Sequence, residues 1–157
     1  MANEQDNLRY LEDLYVGARF KSDTHALDTE QIKTFAGQFD PQPFHLDEAA
    51  AELSLFGGLA ASGWHTAAVT MKLLVTGPLK IAGGVIGAGA ELSWPMPTRP
   101  GDVLQVESEI VEIVPSRSRS DRGIVTLQVE TRNQRGDVVQ KMLAKLLVRR
   151  LVKNDAK

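Results

Sequence analysis

The sequence predicts an α+β fold: one domain, with a five-stranded antiparallel sheet around a long central helix. Three observations predict it. Residues 63–75 hold no acid and only one strongly charged residue, Lys72, so they read as a helix apolar nearly all round, which belongs in a core. Four β-rich stretches follow, at 85–94, 103–114, 123–133 and 138–151. The connections between them, 95–102, 115–122 and 133–137, look too short for crossover helices, so these strands are expected to pair antiparallel as a meander.

The elements follow in order. Residues 1–9 read as a loose polar arm, and residues 10–152 as the domain. Met1-Ala2-Asn3-Glu4-Gln5-Asp6 is polar and acidic, with no apolar signal-peptide core. The fifth strand is expected over 20–27, although its alternation is poor. Asp28-Thr29-Glu30-Gln31 reads as a helix start, with Ile32, Phe35, Ala36 and Phe39 on one face. That helix should stop before Asp40-Pro41. Asp47 suits the cap of a short helix over 48–53, and Phe56-Gly57-Gly58 reads as a turn. Ser62 is placed to cap the central helix, and Gly77-Pro78 to end it. In the second β-rich stretch Leu104, Val106 and Ile110 alternate with Val103, Gln105, Glu107 and Glu109, which predicts one buried and one wet face.

The segment Asp40-Pro41-Gln42-Pro43-Phe44-His45-Leu46-Asp47 carries the chemistry. It sets a carboxylate and an imidazole five residues apart in a bend stiffened by two prolines. Such a bend can hold an acid and a base beside one water molecule. A carboxylate base at its ordinary pKa is weak, so partial burial is expected to raise Asp40. Much else is excluded. A net charge of −2 does not suggest a nucleic-acid partner, and no apolar run reaches the length of a membrane span. With no cysteine there is no disulfide, thiolate metal site or cysteine nucleophile. The three histidines lack metal-ligand spacing; His25 reads as a strand residue and His65 as a core residue with a satisfied hydrogen bond. Gly83-Gly84 and Gly87-x-Gly89 precede a strand, so they make no phosphate loop, and Arg135-Gly136-Asp137 reads as a hairpin turn.

The element order and this motif resemble the MaoC-like branch of the hotdog fold, which includes the (R)-specific enoyl-CoA hydratases. The family pattern of Asp, Pro, His and Asp is met by Asp40, Pro43, His45 and Asp47. Phe56-Gly57, Ala60-Ala61-Ser62-Gly63, Trp94 and Arg99-Pro100-Gly101-Asp102 also fit. The likeness covers roughly residues 10–150. This chain departs from many family hydratases at Ser62-Gly63, where His-Gly is common, and at Trp64, where Met is common.

The resemblance implies a hydro-lyase that hydrates a trans-2-enoyl-CoA to an (R)-3-hydroxyacyl-CoA, or runs a related dehydration. Asp40 and His45 would form the catalytic pair. The N–H of Gly63, at the mouth of the central helix, would bind the developing oxyanion. Phe44, Ser62 and Trp64 are candidates for contacting the substrate. Arg117 and Arg119, clustered with Arg122, and Arg99 in another loop, are candidates for the CoA diphosphate. No cofactor or metal is implied, because the CoA thioester is the substrate. The implied assembly is a homodimer joining two sheets edge to edge, with higher oligomers left open, in the cytoplasm. The alternatives are a hotdog acyl-CoA thioesterase and a non-catalytic acyl-thioester binding protein. Thioesterases often carry a carboxylate on the central helix, which residues 64–75 lack, and a binding protein has no need of both Asp40 and His45.

Overall fold

Period-two patterning builds the sheet. The computed structural model describes residues 7–151. In β3 (Val103–Pro115) Leu104, Val106, Ser108 and Ile110 are buried, whereas Glu107 is exposed. The remaining strands are β1 (Arg19–Ala26), β2 (Ile86–Ser93), β4 (Arg122–Arg132) and β5 (Val138–Arg149). All neighbours are antiparallel, in the order β1-β3-β4-β5-β2.

That order corrects the expected four-stranded meander. Only β3, β4 and β5 follow one another. β2 pairs with β5 at one edge, and the 95–102 connection carries the chain across to β3. The place beside β3 is taken by β1, whose exit is tied to the start of β3 by Leu27 N–H donating to Asp102 O and Gly101 N–H donating to Leu27 O. The Gly87-Ala88-Gly89-Ala90 run of β2 is exposed, a composition suited to an edge with little to pack. Residues 1–6 of the expected arm, and residue 152 of the expected domain, lie outside the described residues. Arg9 is already tied down, donating to Lys80 O and accepting from Ala82 N–H.

Among the described residues a 3-10 turn at Leu11–Asp13 and three short α-helices precede the central one. α1 (Thr29–Phe39) is capped by Asp28, whose carboxylate accepts the Gln31 N–H at 2.8 Å. Its Ile32 and Ala36 are fully buried, but Phe39, expected on the same face, is exposed. α2 (Pro43–Leu46) is a single turn, and α3 (Glu48–Glu52) is capped by Asp47, as expected. α4 (Gly63–Thr76) packs on β1, β3 and β5. It buries His65, Thr66, Val69, Thr70, Leu73 and Leu74. Its other face, with Trp64, Met71 and Val75, stays exposed in the single chain, so the helix is buried on one side rather than all round. Leu27, Ile32, Leu104, Ile110 and Leu127 are the largest fully buried apolar side chains, each worth about 1.5–3 kcal/mol by burial. Among the described residues no helix is long and apolar enough to cross a membrane.

Candidate active site

The prolines act differently from a plain bend. Asp40 closes α1, its N–H still donating to Ala36 O, in a non-helical conformation that the following Pro41 favours. Pro43 then opens α2 at the position where a missing N–H costs nothing, and the single turn swings His45 back towards Asp40. His45 Nε2 lies 3.2 Å from Asp40 Oδ2.

The other ring nitrogen of His45 is fixed. Nδ1 lies 2.6 Å from the carbonyl oxygen of Ala60. A carbonyl only accepts, so Nδ1 carries a proton and donates. In the neutral ring Nε2 is then a bare acceptor facing a carboxylate oxygen, itself an acceptor. Two acceptors 3.2 Å apart repel unless a donor joins them. One water, offering one O–H to each, meets that need. Phe44 stands edge-on to His45 and tilted on Phe56, with ring centroids 4.6 and 5.0 Å apart. Phe44 also packs on the core, so it backs the imidazole.

Ser62 joins this pair to the central helix. Its fully buried hydroxyl accepts the Trp64 N–H at 3.2 Å as the cap of α4 and favours the ionised form of the Asp40 carboxylate. Burial pushes the Asp40 carboxyl up. The Ser62 hydroxyl, the Gln42 amide and His45 together outweigh it and hold the group below its ordinary range. The expected rise is thus reversed, because partial burial comes with donors aimed at the carboxylate.

Gly63 follows Ser62 as the first residue of α4. Its N–H has no protein acceptor among the described residues, and it sits at the positive end of the helix dipole. The indole of Trp94 lies on it: a Cβ on Gly63 would fall 2.7 Å from the ring. Glycine is therefore required by close approach. Trp94 is itself held by the fully buried Gln140, which accepts its Nε1–H at 2.9 Å and bonds onward to Thr70 of α4. Trp64 stands edge-on to Trp94 and is largely exposed. The contact of Trp94 with Gly63 spans 31 positions, beyond the reach of any local sequence pattern.

The other candidates are not brought here. Arg117 and Arg119 sit at the far tip of the β3–β4 hairpin, 13 residues of strand, or roughly 40 Å, from the Asp102 turn. Arg122 is paired with its neighbour Asp121. Arg99 is committed to main-chain carbonyls at Phe56, Gly58 and Leu59, so it has no open fork for a phosphate. His25 bonds Gln31 and Lys72. His65 is buried, but the hydrogen bond expected for it is missing at Nδ1 among the described residues. Among the described residues no cluster of three or more His, Cys, Asp or Glu side chains could hold a metal ion.

Comparisons with known proteins identify the family and the fold. Residues 15–133 match the MaoC like domain family. The chain is 32% identical over 116 residues to a 3-hydroxybutyryl-CoA dehydratase of Methylorubrum extorquens, covering 71% of this chain and 69% of that protein. A crystal structure of a MaoC-like dehydratase from Rhodospirillum rubrum superposes with a TM-score of 0.89 at 64% identity, over 92% of this chain and 99% of the other. An (R)-hydratase from Pseudomonas aeruginosa superposes with a TM-score of 0.71 at 26% identity, over 94% and 92% of the two chains.

Proposed function

The chain belongs to the MaoC-like domain family, and on that premise we propose that it is a hydro-lyase for acyl thioesters, adding water to a trans-2-enoyl-CoA to give an (R)-3-hydroxyacyl-CoA, or running that reaction in reverse. One observation carries the reading: the 3.2 Å edge between Asp40 Oδ2 and His45 Nε2, with the second imidazole nitrogen held by Ala60.

In the hydration direction the water between the two acceptors attacks the β-carbon. Its oxygen forms the new C–O bond, and the π electrons move through the α-carbon onto the thioester oxygen. The pair takes one proton from the water, and the α-carbon receives a proton from the same pair as the carbonyl reforms. Protons pass between two coupled groups, so the base is the pair. Asp40, held ionised, keeps negative charge beside the imidazole as the proton moves onto the pair. The Gly63 N–H and the α4 dipole face the thioester oxygen as its charge grows, a contact typically worth about 10²–10³ in rate. Trp94 walls that slot.

An apolar cleft of about 350 Å³, lined by Met71, Leu74, Val85, Leu127 and Met142 among others, offers a seat for the acyl chain. Met71 is eight residues along α4 from Gly63, roughly 12 Å. The cleft borders the exposed face of α4 and the edge strand β2, whose outer side has no partner among the described residues. A homodimer closed across that edge would cover both. Exposure to a series of trans-2-enoyl-CoA esters, followed by loss of enoyl absorbance and product stereochemistry, tests the function. The reading expects (R)-3-hydroxyacyl-CoA from at least one chain length. Release of free CoA without hydration, or no turnover across the series, would overturn it.

A further inference from the structure

The Arg99-Pro100-Gly101-Asp102 turn lies outside the catalytic pair, yet its arginine reaches the support of that pair. We propose that Arg99 is a positioning residue for His45: its guanidinium fastens the loop that ends in Ala60, and so fixes which imidazole nitrogen carries the proton. The proposal rests on the hydratase reading only for its consequence in turnover.

The contacts form a short chain. Arg99 Nη1 donates to Gly58 O at 2.8 Å and Leu59 O at 3.3 Å, and Nη2 donates to Phe56 O. Beside it, Thr98 O accepts the Ala61 N–H at 2.9 Å. Residues 98 and 99 thus grip residues 56–61 from both sides of Ala60, whose carbonyl lies 2.6 Å from His45 Nδ1. Phe56, on the same grip, lies with its ring 6.0 Å from the His45 ring.

The arginine is spent in an unusual way. Among the described residues no carboxylate forms an ion pair with Arg99; the nearby Asp102 pairs with Arg135 and caps the Arg99 main-chain N–H. A half-buried guanidinium given wholly to neutral carbonyls is costly unless several well-placed bonds offset its loss of water. The loop is also tied by the Gly58 N–H donating to Ala51 O and the Ala60 N–H donating to Phe44 O, but Arg99 holds its Phe56, Gly58 and Leu59 carbonyls together. Leu53 and Leu55 are almost fully exposed, and Gly57 turns the chain at φ +62°. A planar fork spans three carbonyls at fixed spacing, which an ammonium on a flexible stem cannot do.

Without the grip, Ala60 O drifts from Nδ1 and the preference for the Nδ1–H tautomer relaxes. A proton on Nε2 would then bond Asp40 directly and close the two-acceptor edge that water needs. Turnover falls, while substrate binding, which uses other groups, changes little.

The test reads the tautomer itself. Long-range proton–nitrogen spectra of the ¹⁵N-histidine protein would be recorded at about pH 8.5, above the ordinary imidazole value of about 6.5. Only three histidines need assigning, through His25→Gln and His65→Gln. Wild type should show His45 as Nδ1–H with bare Nε2. Arg99→Lys and Arg99→Gln, checked for folding by thermal melting, should show a mixture or Nε2–H. Their kcat on crotonyl-CoA should fall about 10- to 100-fold, less than the roughly 10²–10⁴ of losing an acid–base group outright, with KM within about threefold. Guanidinium ion added to Arg99→Ala should restore part of the loss. A His45 that stays Nδ1–H in any folded Arg99 variant, or that is Nε2–H in wild type, overturns the proposal. A tautomer shift in a protein without hydratase activity would uphold it and sink the functional reading instead.

Discussion

The two buried histidines, His45 in α2 and His65 in α4, differ in one respect that separates a working imidazole from an inert one. Burial does not separate them: His45 is 3% exposed and His65 7%. Partners do. Both nitrogens of His45 face polar groups, the Ala60 carbonyl and the Asp40 carboxylate. His65 is stacked flat on Phe35, ring centroids 4.5 Å apart and 5° from parallel, and its Nδ1 has no partner among the described residues. Burial lowers the pKa of His65, and the charge of nearby His25 lowers it further, so the ring is neutral near pH 7. A ring held by one carbonyl and one carboxylate can move a proton in a fixed direction. A ring held by an aromatic face fills space.

The sharpest way to break this contrast is to remove each ring. His45→Gln and Asp40→Asn should each lower kcat on crotonyl-CoA by about 10²–10⁴, with the fold intact by circular dichroism. His65→Gln should stay within about threefold. Equal losses from His45→Gln and His65→Gln would dissolve the distinction.

Ser62→Ala probes the link between the pair and α4. It removes a donor that holds the Asp40 carboxyl low and the cap of a 14-residue helix. The acid limb of kcat/KM should move to higher pH, and denaturant unfolding should show a loss of about 1 kcal/mol. An unmoved limb would mean that Ser62 serves the helix alone.

Stability against pH gives the smallest effects and separates the regions again. The folded pKa of His65 lies below its ordinary 6.5, so its neutral form adds stability that is full above 6.5 and is lost as pH falls through the lower folded value. His65→Leu should flatten that decline, and should gain up to about 1 kcal/mol at low pH by removing the unpaired nitrogen. The contribution of Asp40, also depressed, is present above its ordinary 3.8 and fades only as pH falls through its lower folded value. Asp40→Asn should therefore lower stability by a constant amount between pH 5 and 7 and leave its slope against pH unchanged there, on the carboxylate scale of about 3.9. A changed slope in the near-neutral window for Asp40→Asn, or an unchanged one for His65→Leu, would contradict the assigned environments.

Much of this was legible in the chain. The five-residue spacing of Asp40 and His45, the Asp28, Asp47 and Ser62 caps, and the alternation of β3 are local patterns, and local patterns survive folding. What was not legible depends on distant main chain. The acceptor for His45 is a carbonyl 15 positions away, which any residue type would supply. Arg99 looked like a surface cation because its partners are carbonyls 40 or more positions upstream. The place of β2 at the far edge also escaped, since a short connection says that strands are close in sequence without saying which edge is vacant. The Asp40 shift was misjudged in sign because burial is easier to foresee than the donors that accompany it.

A crystal structure of the protein with bound (R)-3-hydroxybutyryl-CoA tests the central claim most directly. The account predicts the 3-hydroxyl oxygen within hydrogen-bond reach, about 2.6–3.2 Å, of both Asp40 Oδ2 and His45 Nε2, and the thioester oxygen on the Gly63 N–H. A ligand whose hydroxyl reaches neither group, with its thioester away from the mouth of α4, would contradict it.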